Sequence, residues 1–260
     1  MKLARVKVEG QVAFAVVDGE DVRELAGHPF EPVSYSGRTW QLENVRLLAP
    51  VLPSKIVAVA KNYSDHAAEM NSEVSAQPMV FLEPSTSVIG PDDAIVIPPQ
   101  SQRVDHEAEL AVVIGRLCRD VPVDRVRDVI LGYTCANDVT ARDLQAADGQ
   151  WSRAKGFDTF CPLGPWIETS VGLTGPKPDV DDLAITCEVN GELRQAGRTA
   201  SMVHSVSQLV AFVSSVMTLL PGDLLLTGTP AGISPLAAGD QVDITIERIG
   251  TLTNKVVAGA

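Results

Sequence analysis

Apolar positions in this chain recur mainly at every second residue, the period of a half-buried strand. The runs on either side of Glu9-Gly10-Gln11 alternate in this way. Residues 1–19 therefore read as a hairpin, with Asp18-Gly19 making the next turn. Residues 27–50 are mixed and carry Pro29, Pro32 and Pro50. At Lys55-Ile-Val-Ala-Val-Ala60 the pattern becomes a regular apolar strand, which places a boundary at Pro50–Ser54. It separates a small N-terminal β-rich domain, 1–52, from a larger domain, 53–260. Within the latter, Arg103–Gly115 reads as a strand, because Leu, Val and Ile follow a group of acids and a Gly ends the run. Leu224–Pro230 reads as a buried strand entering a tight turn, and residues 239–250 alternate strictly. Helical spacing is predicted over 62–70, over 137–147 with Asn137 or Asp138 as N-cap, and most clearly over 202–220. There, apolar residues fall at 202, 203, 206, 209, 210, 213, 216 and 217, and Pro221-Gly222-Asp223 stops the helix. Strands outnumber helices and do not alternate with them in a βαβ rhythm, so the class is α+β.

The same alternation puts chemistry on one strand face. Glu107 and Glu109 are two apart and point the same way, with Asp105 below them. The strand is continuously apolar beyond them, so this face heads into the protein. Like charges in a partly buried site repel and lose hydration, and a divalent cation removes both problems. All-oxygen ligands suit Mg2+, Mn2+ or Ca2+ better than Zn2+. In Asn137-Asp-Val-Thr-Ala-Arg-Asp-Leu-Gln145, Asp138, Arg142 and Gln145 follow an i, i+4, i+7 spacing. Asp138 then either caps a helix with a solvated Arg/Gln face or completes the carboxylate cluster. Beside Glu107 and Glu109 the second reading ranks ahead.

Other candidates carry two readings each. His66 and Glu69 are three apart, as in a carboxylate-oriented general base or an exposed helical pair. Lys155, before Gly156, has the default reading of a turn residue. Thr227-Gly-Thr-Pro-Ala-Gly232 is either a plain turn or one that presents N–H groups to an anion. His28 and His204 read as structural or surface residues.

Composition narrows the partners. The 260 residues carry a net charge of −12, which argues against nucleic acid or an anionic membrane as partner. The four cysteines have neither a Cys-x-x-Cys nor a zinc spacing and read as inert thiols of a cytoplasmic protein. No signal-peptide stretch or membrane-length apolar run is present. Walker A, Gly-x-Gly-x-x-Gly and Gly-x-Ser-x-Gly motifs are missing, and Leu110 stands where a zinc-protease helix beginning at His106-Glu107 needs its second His.

Five segments in order resemble the fumarylacetoacetate hydrolase family in its short bacterial form. They are Lys55–Glu69, Asp105–Leu110, Asn137–Gln145, Lys155–Pro165 and Leu220–Pro230. The resemblance implies a catalytic domain built as a mixed β-sheet roll, a homodimer, a divalent metal (Mg2+ or Mn2+, with Ca2+ possible), and chemistry on small 2-oxo acids, as in the catabolism of aromatic compounds. It also implies that Glu107, Glu109 and Asp138 bind the metal, that His66 and Glu69 form an acid–base pair, and that Arg142, Gln145, Lys155 and Thr229 contact the substrate, with Lys155 also placed to stabilise a developing oxyanion. Hydrolysis of an acylpyruvate-type acid is the first expectation. Decarboxylation or isomerisation of a 2-oxo dicarboxylate is the second, and a catalytically weak binding protein the third. One departure stands out. The family commonly has Phe-Leu-Lys-Pro where this chain has Phe81-Leu-Glu-Pro84. Glu83 is expected to pair with Lys61, to select a substrate with a neutral tail, or simply to face solvent.

Overall fold

The computed structural model describes residues 1–70, 72–171 and 182–259. The architecture is α+β, with mixed sheets and few helices. Lys2–Val8 and Gln11–Asp18 pair antiparallel around Glu9 and Gly10, both at positive φ, as a two-residue hairpin turn requires. Asp21–Leu25 and Tyr35–Gln41 extend this N-terminal sheet. Its inward side chains, Ala4, Val6, Ala15, Val17 and Val22, form a small core of their own. The N-terminal strands also join the main sheet, because Lys2 and Leu3 pair with Glu168 and Ile167 of Cys161–Glu168.

From Cys161–Glu168 the sheet continues through Ile130–Asn137, Ala108–Ile114, Leu224–Leu226, Ile56–Ala60 and Met79–Glu83. Ala108–Ile114 is buried along its whole length between two neighbouring strands. Leu110, Val112 and Ile114 enter one hydrophobic cluster, and Ala111 and Val113 enter another. This is why the segment reads as an unbroken apolar run although its side chains still alternate. Just past Met79–Glu83, Val88–Ile89 pairs parallel with Cys161 and Pro162. The sheet is thereby curled back on itself as a roll, and side chains from strands far apart in its order meet inside.

A second sheet, Glu192–Arg198, Ala184–Val189, Gln241–Ile246, Gly250–Ala258 and Ala94–Ile97, packs Ile185, Ile244, Ile246 and Leu252 into the larger cluster. The helix predicted over 202–220 is shorter, Val206–Val216. Ser205 and Gln208 form a reciprocal capping box that fixes its start, and Leu209, Val210 and Val213 face the core. Met202 and Val203 lie outside it because the Val203 N–H bonds to the Asn62 carbonyl. Among the described residues, no helix is long and apolar enough to cross a membrane.

Two local expectations are corrected. The strand over 103–115 is two pieces, Val104–Asp105 and Ala108–Ile114, with His106 and Glu107 between them. The helix over 137–147 begins only at Arg142, because residues 130–137 are a strand and Thr140–Ala141 pairs with Val104–Asp105. Asp138 is therefore not an N-cap.

Candidate metal centre and active site

The strand register assembles the acids. Ala108 pairs with Asn137, so Glu107 and Asp138 leave their strands side by side. The Asp138 N–H donates to the Glu107 carbonyl at 2.9 Å, and the Glu107 N–H donates to Asn137 Oδ1 at 2.9 Å. Glu107, Glu109 and Asp138 are all buried, and each brings one carboxylate oxygen within 4.8 Å of the others.

Their charges are poorly balanced. Burial raises the pKa of Glu109, and the charges of Asp138 and Glu107 raise it further. Burial pushes Asp138 up to about 6, against the pull of Lys155. Burial works the same way on Glu107, but the Lys155 ammonium and the Arg142 guanidinium outweigh it and hold this acid below the usual carboxylate range. Lys155, buried rather than in an exposed turn, bonds Glu107 Oε2 at 2.7 Å and Asp138 Oδ2 at 2.6 Å. Arg142 reaches the other Glu107 oxygen and donates to Asp105 Oδ2 at 3.0 Å. Asp105 also takes a bidentate contact from Arg103, so it belongs to an arginine network beside the cluster. Asp138 Oδ1 is buried with no donor, and the Gly228 N–H, at 2.6 Å, is the hydrogen bond made to Glu109. An orphaned acceptor, three converging oxygens and unrelieved repulsion fit a hard divalent cation.

Gly228 makes the contact to Glu109 at φ +94°, and a Cβ there would lie 2.8 Å from that of Asn62. Gly228→Ala is expected to cost about 1–3 kcal/mol of stability, read as a lower midpoint in thermal unfolding. An unchanged midpoint would show that the turn relaxes freely.

A cavity of about 50 Å3 opens on the cluster, lined also by His66, Lys61, Phe81, Trp151 and Thr229. His66, on the helix Ser64–Glu69, is buried, and its Nδ1 lies 3.2 Å from Glu69 Oε2. The Gly232 N–H fixes the same carboxylate at 3.1 Å. Arg142 and Gln145, on Arg142–Asp148, bond to each other at 3.1 Å and also line the cavity. Thr229 lines it too, but its hydroxyl donates to the Ala108 carbonyl and accepts from Gln195 Nε2, each at 2.8 Å. A second space of about 420 Å3 adjoins this one and shares Lys61, Arg142, Gln145 and Trp151 with it, adding Arg103 and Asp105. Eight of the nine residues expected at the site line the first cavity, and the ninth, Glu69, stands behind His66.

Glu83 corrects an expectation. It is 3% exposed, and among the described residues its carboxyl has no separate donor but lies against the carboxyl of Asp138. Burial and then the neighbouring Asp138 raise its pKa. It does not face solvent, and Lys61 bonds Ser72 instead. Sequence reasoning also missed two amides. Asn62 Nδ2 donates to the Thr227 carbonyl at 2.8 Å and to the His204 carbonyl at 3.0 Å, holding the turn that carries Gly228 and Thr229. Gln195 Oε1 accepts from the Ala108 N–H and faces His106 Nδ1, both at 3.0 Å. His106 therefore carries its proton on Nδ1, and burial lowers its pKa. Both amides are central to the site's walls, and no local spacing marks either one.

The family described as fumarylacetoacetate (FAA) hydrolase C-terminal matches residues 55–257, and the family described as Rv2993c-like, N-terminal matches residues 1–50. Protein Rv2993c of Mycobacterium tuberculosis is 52% identical over 264 residues, covering 99% of this chain and 98% of that protein. Human oxaloacetate tautomerase FAHD2A, mitochondrial, is 44% identical over 223 residues, covering 82% of this chain and 70% of that protein. The crystal structure of 2-hydroxyhepta-2,4-diene-1,7-dioate isomerase from Mycobacterium marinum superposes with a TM-score of 0.91 at 50% identity, covering 100% of this chain and 99% of that one.

Proposed function

Because the chain belongs to the fumarylacetoacetate hydrolase family, we propose that it is a divalent-cation-dependent enzyme that moves a proton between the keto and enol forms of a 2-oxo dicarboxylate. The carrying observation is that one cavity is lined by both the three-acid cluster and His66, whose Nδ1 is held from behind by Glu69. Glu107, Glu109 and Asp138 would hold Mg2+ or Mn2+. Bound there, the cation supplies Lewis acidity to the 2-oxo oxygen and the adjoining carboxylate of the substrate. Glu69 accepts a hydrogen bond from the Nδ1–H of His66, leaving Nε2 as the base or acid for the substrate carbon next to the 2-oxo group. Arg142 and Gln145 orient the substrate, Thr229 contributes its main chain and shape, and Lys155 adds positive charge where oxyanion character develops. The names of the human and M. marinum relatives support transfer of a proton without loss of carbon.

Hydrolysis of an acylpyruvate, the first expectation from sequence, becomes the second reading. Its specific support is the 32% exposure of the Glu69 side chain, which gives the pair access to water. Following enol absorbance of oxaloacetate with the Mn2+-loaded protein separates the two. Faster equilibration with total oxaloacetate conserved is expected. Cleavage of an acylpyruvate at higher kcat/KM would reverse the ranking, and release of CO2 would indicate a decarboxylase. The homodimer and the division into 1–52 and 53–260 remain part of this proposal, with light scattering at micromolar concentration as the check on the former.

A dicarboxylate needs a cation for its far end. Lys61 lines both connected spaces and is held at φ +58°, a strained conformation for a residue with a Cβ. Lys61→Gln is expected to raise KM for dicarboxylates roughly fivefold, equivalent to ~1 kcal/mol for charges ~4 Å apart in water. Monocarboxylate 2-oxo acids should be little affected. Equal effects on the two classes would remove Lys61 from this role.

A further inference from the structure

Lys155 occupies the position of a cation. Its ammonium bridges Glu107 and Asp138, two of the three acids that would hold the metal. A divalent ion entering the cluster meets this charge, and the two cations compete for the same carboxylates. Lys155 is 2% exposed, so it has no route to water when it yields.

Glu83 is close to the same ammonium and lies against the Asp138 carboxyl, and both act on its charge. Phe81 and Glu83 are two apart on Met79–Glu83 and share its inner face, while Leu82 between them is exposed. The Phe81 ring centre is 5.6 Å from Lys155 Nζ. The next residue along each chain is also in contact, since a Cβ on Gly156 would lie 3.3 Å from Pro84 Cδ. Glu83 is buried, and among the described residues neither of its oxygens has a separate donor. Two acceptors without a donor, beside a buried ammonium whose three bonds go to Glu107, the Asp138 carboxylate and the Asp138 carbonyl, form a pair of alternative arrangements.

We propose that Glu83 is a positioning residue that receives the Lys155 ammonium when a divalent cation takes Glu107, Glu109 and Asp138. Lys155 then stays inside the site, oriented and charged, without competing for the metal's ligands. The inference rests on the metal-dependent reading above. It goes beyond that reading in assigning Glu83 a role that acts through Lys155.

The test is Mn2+ affinity, measured by calorimetry on the full chain, in a double-mutant cycle. Glu83→Leu removes both acceptors at similar volume and is expected to weaken Mn2+ binding about tenfold. Glu83→Gln keeps one acceptor and is expected to fall between. In a Lys155→Met background the competing ammonium is gone, so Glu83→Leu should change affinity by less than twofold. A crystal structure of the Mn2+-loaded protein should show Lys155 Nζ within hydrogen-bond distance of Glu83. An unchanged Mn2+ affinity in Glu83→Leu overturns the proposal, as does an equal loss with and without Lys155, which would mean that Glu83 acts directly on the ion. If Glu83→Leu does not fold, Glu83→Gln and the loaded structure decide the matter. Failure of the native protein to bind Mn2+ at all would overturn the metal-dependent reading and this inference with it. Normal binding without the cycle's signature overturns this inference alone.

Discussion

Exhaustive removal of divalent cations is expected to reduce turnover to background, and Mg2+ or Mn2+ to restore it. Against these three acids the described residues supply the Lys155 ammonium on Glu107 and Asp138, the Arg142 guanidinium on Glu107, and a backbone N–H on Glu109. That is too little positive charge to place a substrate carboxylate beside three acids. The same loading shows in stability. A cation at about 100 times its Kd adds roughly 2.7 kcal/mol to the folded state. The size of this gain follows from pH. Asp138 has its pKa pushed up to about 6 in the folded, cation-free protein, above an unfolded value of roughly 3.9. A raised carboxyl contributes stability that is fully present below the unfolded value and lost as pH rises through the folded one. Glu109 is raised and acts in the same direction. Glu107 is lowered, so its contribution is lost only in stronger acid. As pH rises from roughly 3.9 through about 6 the cation-free protein therefore loses stability, and added Mn2+ raises the melting temperature more at the upper end. Full activity after chelation would reject the metal assignment, and a cation-induced shift that shrinks with pH would reject the electrostatic account.

Much of this site was legible in the sequence because its elements carry strong local signals. Ala108–Ile114, Leu224–Leu226 and Ile56–Ala60 are buried on both faces, and such strands appear as apolar runs bounded by polar residues or glycine. Glu107 and Glu109 stand out because acids interrupt a run of that kind. Asp138 joins the acid cluster from the end of a strand and not from a helix start. Asp followed by helical spacing resembles an N-cap, and pairing of Thr140–Ala141 with Val104–Asp105 leaves no local trace. Lys155 has the pattern of a turn lysine because its partners are Glu107 and Asp138, far away in sequence. Glu83 is the sharpest case. Its sequence context leaves pairing with Lys61, a place at the site and exposure all open, because the groups that surround it, Asp138 and Lys155, are far away in sequence. Gln195 and Asn62 were illegible for the same reason: an amide that bridges two loops is identified by register and chain closure.

Replacing His66 by Ala is expected to lower kcat on the order of 10²–10⁴-fold, the usual contribution of a positioned general acid or base, while leaving Mn2+ affinity nearly unchanged. His66 lines the cavity that opens on the three acids but is not one of the converging ligand set. Its ring is buried and held through Nδ1 by Glu69, whose carboxylate is in turn fixed by the Gly232 N–H. That chain of contacts selects one tautomer and aims Nε2, and Ala removes the proton carrier without disturbing Glu107, Glu109 or Asp138. Glu69→Gln should do less damage. The amide can still bond Nδ1 but no longer balances the charge on the imidazolium that forms during transfer, so kcat should fall, though less than in His66→Ala. A structural role for His66 predicts the opposite pattern, with lower melting temperature and metal affinity but a normal kcat in the folded fraction. A normal kcat in His66→Ala, or a loss of Mn2+ binding parallel to the loss of rate, would remove His66 from the chemistry.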